Sequence, residues 1–185
     1  MNTTENLIAI VVGSWGAYNG YDENCLGSDW LELNNFKSWN EIEQELKRQG
    51  FELTGKDEEL FIQDIEDFPT QCINWNAIHP QEFFELLQQA GVFTDTDKYE
   101  KMLAYIEVQS FEMWQDLVLK HGDVWDDDIY IYPKYDWYDY GKELFYSHGI
   151  HLPKFLEMFY DFEALGEHFK HYDVQEYSNG LIEIL

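Results

Sequence analysis

Basic residues are scarce in this sequence: 11 lysines and arginines stand against 37 aspartates and glutamates, and Arg48 is the only arginine. No lysine or arginine precedes Lys37, and none occurs between Asp57 and Asp97. The formal net charge at pH 7 is −26. A surface of this charge repels phosphate groups, which excludes direct binding to DNA, RNA or anionic lipid and favours a basic partner.

Long apolar runs and cysteine motifs are also missing. The apolar run from Leu7 to Val12 is only six residues long, too short for a signal peptide or a membrane span, so we expect a cytoplasmic protein. The two cysteines, Cys25 and Cys72, do not have CxxC spacing. The sequence therefore predicts free thiols rather than a disulfide framework or a zinc site.

Apolar and aromatic residues, in contrast, are abundant. Acidic chains remain disordered when they have too little apolar surface to bury, because burial must offset the loss of chain entropy. Here 45% of the residues are hydrophobic and 18% are aromatic. The chain is therefore predicted to fold, with large aromatic side chains filling small cores.

Residues 1–74 are predicted to form a small β-sheet with one helix. The β-branched run 7–12 and residues 30–33 are typical of strands, and a loop is expected between them after Gly13. Residues 60–62 predict a third strand. The sequence then indicates an acidic turn made of Asp64, Glu66, Asp67 and Pro69.

The helix of this first unit has clear start and stop signals. Ser38 followed by Glu41 three residues later is typical of a capping box. Gly50 is a stop signal. Between them, apolar residues recur at helical spacing, at Trp39, Ile42 and Leu46.

Residues 75–121 are predicted to be helical. Pro80 is well placed at a helix start, and Gly91 ends that helix. A second helix is predicted from about Thr96 to the residue before Gly122. Its expected buried stripe consists of Tyr99, Leu103, Ile106, Met113 and Leu117.

Residues 122–185 are predicted to form an α+β unit. An acidic and aromatic segment at 125–132 leads to a helix expected from Asp136 to about Tyr146, and Pro153 starts another helical stretch. The chain then returns in a hairpin around Ser178-Asn179-Gly180.

The predicted fold class is therefore α+β, with three small units in an elongated row: 1–74, 75–121 and 122–185. The units carry net charges of −11, −5 and −10, so the negative charge covers the whole chain. Because like charges repel, an elongated arrangement is favoured over a round one.

The sequence contains neither a complete calcium-binding motif nor a distinguishable pair of catalytic carboxylates. With 37 carboxylates, no pair is singled out as a general acid and base. The segment Asp95-Thr96-Asp97 begins like an EF-hand loop, but Glu100 and Ile106 occupy the positions that require Gly and a bidentate Glu.

Histidine spacing provides a weak metal signal. His148 and His151, and likewise His168 and His171, are three residues apart, which suits two ligands on one helical face. Gly149 interrupts the first pair, and the sequence contains no HExxH motif. We therefore predict no enzyme, no cofactor and no metal, with a metal-dependent enzyme as the remaining catalytic alternative.

The charge itself provides a length scale. Duplex DNA carries about one negative charge per 1.7 Å of axis, so 26 charges correspond to roughly 44 Å of duplex, or about 13 base pairs. An imitation of DNA and a chaperone for basic proteins are both compatible with this charge.

Three stretches of the sequence, and the closing hairpin, carry a recognisable pattern. They are Tyr18-Asn19-Gly20 followed by Gly27-Ser28-Asp29-Trp30-Leu31, the segment 59–69 with Asp64-Ile65-Glu66 and Pro69, the segment Tyr160-Asp161-Phe162-Glu163-Ala164-Leu165-Gly166, and Asn179-Gly180 with Glu183-Ile184. In this order the stretches resemble the ArdA-type antirestriction proteins. The sequence departs from the family pattern at Leu165, which replaces an aromatic residue, and at Glu167-His168-Phe169, which replaces Arg-Asp-Leu.

The resemblance implies both a fold and an activity. The family's implied fold is a row of three small units that forms an elongated, curved dimer mimicking bent duplex DNA. Its implied activity is occupation of the DNA-binding groove of type I restriction–modification enzymes, which protects the incoming DNA of a mobile genetic element.

We therefore expect a non-enzymatic DNA mimic with many carboxylates in place of phosphates. The alternative is an acidic binding module or inhibitor for another basic DNA-binding protein: a nucleoid protein, a nuclease or a CRISPR component. Asp161, Glu163 and Glu167 are expected either to join the phosphate-mimicking set or to set the geometry of a homodimer. The expected phosphate stand-ins are Asp22, Glu23, Asp29, Glu32, Glu41, Glu45, Asp126, Asp127, Asp128, Asp136 and Asp139.

Overall fold

The computed structural model describes residues 7–20, 27–55, 58–69, 78–170 and 173–185. The fold is α+β, as predicted. The elements of the described residues are, in order, β1 (Ala9–Ser14), α1 (Trp15–Gly20), β2 (Leu31–Glu32), α2 (Trp39–Arg48), β3 (Leu60–Glu66), α3 (Pro80–Ala90), α4 (Thr96–Val108), α5 (Phe111–His121), β4 (Ile129–Pro133), α6 (Trp137–Ser147), α7 (Lys154–Glu157), α8 (Phe162–Glu167), β5 (Val174–Tyr177) and β6 (Gly180–Ile184). None of these helices is long and apolar enough to span a membrane.

The first sheet is antiparallel, with strand order β2-β1-β3. Its central strand β1 is buried along its whole length, which explains why the sequence there is apolar and β-branched rather than alternating. The strand lies two residues further along the chain than the predicted run 7–12. Its register with β3 shifts between Val11 and Val12, where a β-bulge or irregularity interrupts the pairing.

The loop expected after Gly13 begins with a helix instead. The helix α1 follows β1 directly, and the Ser14 hydroxyl accepts a hydrogen bond from the backbone N–H of Ala17 at 3.3 Å. The indole of Trp15 stacks on the ring of Phe61, with centroids 4.1 Å apart. The turn residues Asn19 and Gly20 therefore end this helix, whereas the sequence suggested that they lie in a loop.

The acidic turn predicted after residue 62 is also wrong in part. Asp64 and Glu66 belong to β3, which continues to Glu66. Along this strand Asp64 and Glu66 are exposed, whereas Ile62 and Ile65 are buried, so the carboxylates project from the solvent side. A charged residue is compatible with a strand when its side chain points away from the core.

Helix α2 confirms the predicted helix but not the predicted capping box. Trp39, Ile42 and Leu46 are buried, as their spacing indicates. The Ser38 side chain makes no capping hydrogen bond. The carboxylate of Glu41 instead accepts the backbone N–H of Lys37 at 2.7 Å, one residue before the position that a capping box requires.

Helix α3 begins and ends where the sequence predicts. Its first residue is Pro80, and the ring nitrogen Nδ1 of His79 accepts the backbone N–H of Gln81 at 3.2 Å. Gly91 follows the helix with φ of 74°, a left-handed conformation that a glycine adopts without strain.

The single long helix predicted from Thr96 is two helices. Helix α4 ends at Val108, and Ser110 then caps α5 by accepting the backbone N–H of Met113 at 3.2 Å. The break changes the face that points inward, so Met113 is 51% exposed rather than buried. Phe111, Trp114 and Val118 fill the core in its place.

The last part of the chain combines a sheet of order β4-β6-β5 with three helices. The hairpin of β5 and β6 is confirmed, with Tyr177 paired to Gly180. Helix α6, predicted from Asp136 to about Tyr146, spans Trp137–Ser147, and the short helix α7 follows Pro153. Tyr132 of β4 donates a hydrogen bond to Glu183 of β6 at 2.7 Å.

The hydrophobic core runs through most of the fold. Buried residues from Ile10 in the first sheet continue through Phe84 and Trp114 to Ile182 in the last strand. The indole N–H of Trp125 donates to the carbonyl oxygen of Ala90 at 2.9 Å and connects the segment before β4 with α3. A second, smaller cluster consists of Trp137, Tyr140, Val174 and Leu181.

The total accessible surface is larger than expected for a compact protein of this mass. It amounts to 11147 Å². A compact protein of 22.2 kDa is expected to expose about 9,400 Å². The division into units 1–74, 75–121 and 122–185 stays a prediction, since the main core crosses both boundaries.

Candidate functional surface

Nearly all acidic side chains of the described residues lie at the surface. Asp126 is the only one among them that is buried, and the carboxylates of α3, α4 and α5 are exposed as well as those of the two ends of the chain. These three helices carry exposed carboxylates that were not among the expected phosphate stand-ins: Glu82, Glu85, Asp97, Glu100, Glu107, Glu112 and Asp116.

The predicted carboxylates of the first unit fall into two groups. Asp29 and Glu32 are exposed, and Glu32 accepts a hydrogen bond from the side-chain amide of Asn35 at 2.7 Å. Glu41 and Glu45 lie on α2 and are partly buried. Asp22 and Glu23 lie outside the described residues.

Glu45 is the most strongly engaged member of this set. Its two carboxylate oxygens accept hydrogen bonds from Arg48 at 2.8 and 2.5 Å, and Gln49 adds a third at 2.7 Å. The hydrogen bond from Arg48, followed by that from Gln49, lowers the pKa of Glu45 to about 2. Glu45 therefore keeps its negative charge, but Arg48 offsets it locally.

Asp126 does not lie on the surface where the sequence analysis placed it. The residue is 8% exposed and its carboxylate faces two lysines, with Lys98 Nζ at 3.5 Å and Lys101 Nζ at 3.0 Å. Lys101 also contacts Asp97 at 2.9 Å. Burial opposes the charge of Lys101, but the hydrogen bonds to Asp97 and Asp126 outweigh it and raise the pKa of Lys101. Asp126 thus joins α4 to the start of β4, and we leave it out of the candidate surface.

The remaining acidic residues predicted near β4 and α6 are exposed. Asp127, Asp128 and Asp139 all lie at the surface. Asp136 is exposed as well, and one of its carboxylate oxygens caps α6 by accepting the backbone N–H of Asp139 at 2.9 Å. A helix N-terminus stabilises a negative charge, so this cap fixes the position of Asp136 without neutralising it.

The family-like segment from 161 to 167 forms α8. Asp161 caps this helix by accepting the backbone N–H of Ala164 at 2.9 Å, and Glu163 and Glu167 are exposed on it. Gly166 is buried against α6. The segment therefore combines a structural contact on one face with three exposed carboxylates.

Most basic side chains of the described residues contact carboxylates of the same chain. Lys47 contacts Glu43, Lys142 contacts Glu157 at 3.1 Å and Lys170 contacts Glu176. Together with Arg48, Lys98 and Lys101, these residues make six cations that contact carboxylates of the same chain. The pairing leaves an outer surface dominated by unpaired negative charge.

An exposed apolar strip at residues 150–160 was not predicted. Phe155 is 68% exposed, and Met158 and Phe159 are each 78% exposed. Glu157, on the same short helix, accepts hydrogen bonds from Tyr146 at 2.8 Å and from Lys142 at 3.1 Å, which lower its pKa. The sequence signal was present: Phe155, Met158 and Phe159 have the i, i+3, i+4 spacing of an apolar helical face. The helix α7 ends at Glu157, and the three side chains are left exposed.

The histidines show no metal geometry in the part of the chain that the structure describes. His148 Nδ1 lies 2.7 Å from the carbonyl oxygen of Leu144, and the ring of His151 packs beside Tyr146. No group of three or more His, Cys, Asp or Glu side chains suited to a metal occurs among these residues. His171 lies outside them.

The fold and this surface define a class: an acidic α+β protein with carboxylates exposed on every part of the described chain. The comparison with known families then identifies the family. The sequence model of the ArdA antirestriction proteins matches residues 10–183, so the chain belongs to that family. No match was found among curated proteins.

Proposed function

We propose that this protein is a DNA mimic that inhibits a type I restriction–modification enzyme by occupying its DNA-binding groove. The observation that carries the proposal is the distribution of charge: exposed carboxylates extend over the whole described surface, and six cations are held in internal contacts. Membership of the antirestriction family supports the same conclusion.

The mechanism is electrostatic. Lysine and arginine side chains that hold DNA phosphates meet carboxylates instead, and the two partners attract each other before contact. With 26 net charges, the protein matches the charge of roughly 44 Å of duplex. Such binding is independent of DNA sequence and weakens as salt is added. The protein needs no catalytic group, cofactor or metal for this role.

The candidate surface consists of those predicted carboxylates that are exposed and lie outside strong internal pairs. Asp136 and Asp161 are held by helix N-termini, and the backbone N–H of Asp29 is bound by the side chain of Gln49, so these charges have fixed positions. The proposed members are Asp29, Glu32, Asp127, Asp128, Asp136, Asp139, Asp161, Glu163 and Glu167. Glu41 and Glu45 contribute less because their carboxylates are bound within the chain.

We further propose that the protein acts as a homodimer in the cytoplasm, through the apolar strip 150–160. This strip carries only Lys154 and Glu157 as charged residues, and Glu157 is paired with Lys142. Two copies of a chain with a net charge of −26 repel each other least where the surface is neutral and apolar. A two-fold contact here leaves the acidic faces of both copies open to the enzyme.

A competition assay tests the proposed function. A fluorescent duplex bound to a purified type I restriction–modification enzyme is titrated with the protein while fluorescence anisotropy is recorded. Stoichiometric displacement of the duplex, with the same midpoint for unrelated DNA sequences, supports the mimic. No displacement from the type I enzyme, together with binding to another basic DNA-binding protein, supports the alternative acidic binding module.

A further inference from the structure

A depression lies on the first sheet, on the side opposite the core. Its volume is about 640 Å³, and it is lined by Val11, Ser28, Asp29, Trp30, Gln63 and Asp64. Val11 lies between Ile10 and Val12, which face the core, and it is paired with the exposed residue Asp64. Alternation along the strands therefore gives the depression an apolar floor, with side chains of β3 and of the segment before β2 at its rim.

The residues at one side of the rim are anchored to the central strand. The backbone N–H of Ser28 donates to Val12 at 2.8 Å, and the Ser28 hydroxyl accepts the Val12 N–H at 2.9 Å. The backbone N–H of Asp29 donates to the side chain of Gln49 at 2.8 Å. Trp30 follows directly and leads into β2, so Asp29 and Trp30 are positioned before any partner binds.

The opposite side of the rim is part of a regular strand. Asp64 lies within β3, and one of its carboxylate oxygens accepts the backbone N–H of Ile65 at 2.9 Å. Among the described residues, no further hydrogen bond to the Asp64 carboxylate is formed, and the side chain is exposed. Because β2 and β3 flank β1, Asp29 and Asp64 approach the floor at Val11 from two sides.

The combination of groups selects a particular cation. Trp30 is 43% exposed, and an exposed indole beside carboxylates attracts a flat, delocalised cation through its ring face. A guanidinium group donates two parallel hydrogen bonds to a carboxylate and stacks on an aromatic ring, whereas an ammonium group is a compact and strongly hydrated point charge. Arg48, the chain's own arginine, is held by Glu45 and does not line the depression.

We propose that this depression binds an arginine side chain of the partner protein, with Asp29 and Asp64 accepting hydrogen bonds and Trp30 stacking on the guanidinium. The inference rests on the proposed function, because it supposes a basic protein partner. It adds a chemical preference that a row of phosphate stand-ins lacks: the surface as a whole accepts either cation, and this depression favours arginine over lysine.

The test uses the full protein and three small probes: N-acetylarginine amide, N-acetyllysine amide and N-acetylcitrulline amide, at matched ionic strength. The shift of the Trp30 indole N–H signal is followed by NMR. We expect a saturable shift with the arginine probe, a weaker one with lysine and none with neutral citrulline. Asp64→Asn is expected to weaken arginine binding about tenfold, the effect of losing one charge-assisted contact. Trp30→Ala, which removes the indole signal and is therefore followed through the backbone amide signal of Asp29, is expected to weaken it by a similar factor.

The matched control is Glu66→Gln, which removes the same charge from an exposed residue of the same strand outside the depression. It should leave arginine binding within about twofold. Equal shifts with arginine and lysine, or equal losses in Asp64→Asn and Glu66→Gln, overturn the inference. Displacement of DNA from the type I enzyme without any arginine shift at Trp30 refutes the inference alone. An arginine shift without displacement refutes the proposed function alone.

Discussion

Gly141 and Gly166 lie against each other where α6 and α8 cross. A β-carbon on Gly166 would lie 2.0 Å from the carbonyl oxygen of Trp137, and one on Gly141 would lie 1.9 Å from that of Phe162. The two helix backbones are therefore in direct contact, which only glycine permits at both positions. This contact holds the three exposed carboxylates of the 161–167 segment in place.

Replacing Gly166 by alanine should destabilise this contact severely. The methyl group meets the backbone of α6 at Trp137 and Gly141, which cannot yield as a flexible side chain does, so we expect a loss of about 3 kcal/mol or more in the free energy of unfolding. Urea unfolding measures it. Gly20→Ala is the control, since a β-carbon at Gly20 has no neighbour within 4 Å and its effect should stay within about 0.5 kcal/mol. Equal stability of the two variants would contradict the described packing.

The buried charge at Asp126 gives the second prediction. Asp126→Asn leaves Lys98 and Lys101 with less compensation in a partly buried site, so we expect the free energy of unfolding to fall by about 2 kcal/mol. Asp127→Asn, the exposed neighbour, should change it by less than about 0.5 kcal/mol. Thermal unfolding of both variants provides the measurement, and a larger loss in Asp127→Asn would contradict the assignment.

These two cases show which features the sequence could predict. Helices α2 and α3 were predictable because apolar spacing, a proline start and a glycine stop act within each segment. Asp126 was not predictable, because it is one of three consecutive aspartates and differs from the others only through its contacts with Lys98 and Lys101, which lie far earlier in the chain. The break between α4 and α5 was missed for a related reason, since a serine cap interrupts a pattern that reads as continuous.

The candidate surface was predictable in kind rather than in detail. Net charge alone indicates a distributed acidic face, but a sequence does not reveal which carboxylates are paired with cations distant in the chain. The depression at Trp30 was also missed, because it forms only when β3 and the segment before β2 are placed on either side of Val11.

A distributed mechanism predicts small single effects and a large combined one. Any one of Asp127, Asp128, Asp136 and Asp139 changed to Asn should weaken inhibition by less than about fivefold, because an exposed ion pair contributes at most about 1 kcal/mol. All four together should cost about 2 kcal/mol, or roughly 30-fold, with a weaker dependence on salt. Asparagine retains the cap at Asp136. Inhibition abolished by a single change would contradict the mechanism.

The matched control for this set removes four charges from the middle helices, at Glu82, Glu85, Glu112 and Asp116, which are exposed. Both variants have the same net charge. A larger loss of inhibition in the first set assigns the effect to position, whereas equal losses would show that net charge alone matters.

The pH dependence of stability should have a maximum. Lowering the pH from 7 to 5.5 makes the net charge of −26 less negative, so self-repulsion falls and the Tm should rise, as it should when moderate salt is added. The opposite sign holds in acid. The pKa of Glu45 is lowered from 4.5 to about 2 by Arg48, so the folded state binds that proton less readily than the unfolded state. Its stabilisation is complete above pH 4.5 and is lost as the pH falls toward 2.

Glu157 acts in the same direction, since hydrogen bonds from Tyr146 and Lys142 lower its pKa. Differential scanning calorimetry from pH 7 to 2.5 measures both limbs of the curve. Glu45→Gln should flatten the acid limb and leave the rise between pH 7 and 5.5 intact. A Tm that falls steadily from pH 7 would mean that ion pairs, rather than self-repulsion, dominate near neutrality.

The apolar strip gives the last prediction, which concerns the proposed dimer. Phe155 and Phe159 are 68% and 78% exposed, and they lie on a segment that Glu157 fixes to α6 through Lys142 and Tyr146. Changing both phenylalanines to serine removes apolar area that only a partner can bury, so the variant should sediment as a monomer without loss of Tm beyond that of dissociation.

Leu119→Ser, at a residue 60% exposed on α5, is the control and should remain a dimer. A native protein that sediments as a monomer, or a double variant that remains a dimer, would place the contact elsewhere or exclude it. Inhibition measured on the monomeric variant then separates the roles of the two surfaces: if each copy still displaces DNA but less tightly, the carboxylates bind the enzyme and the strip serves to extend the charged row.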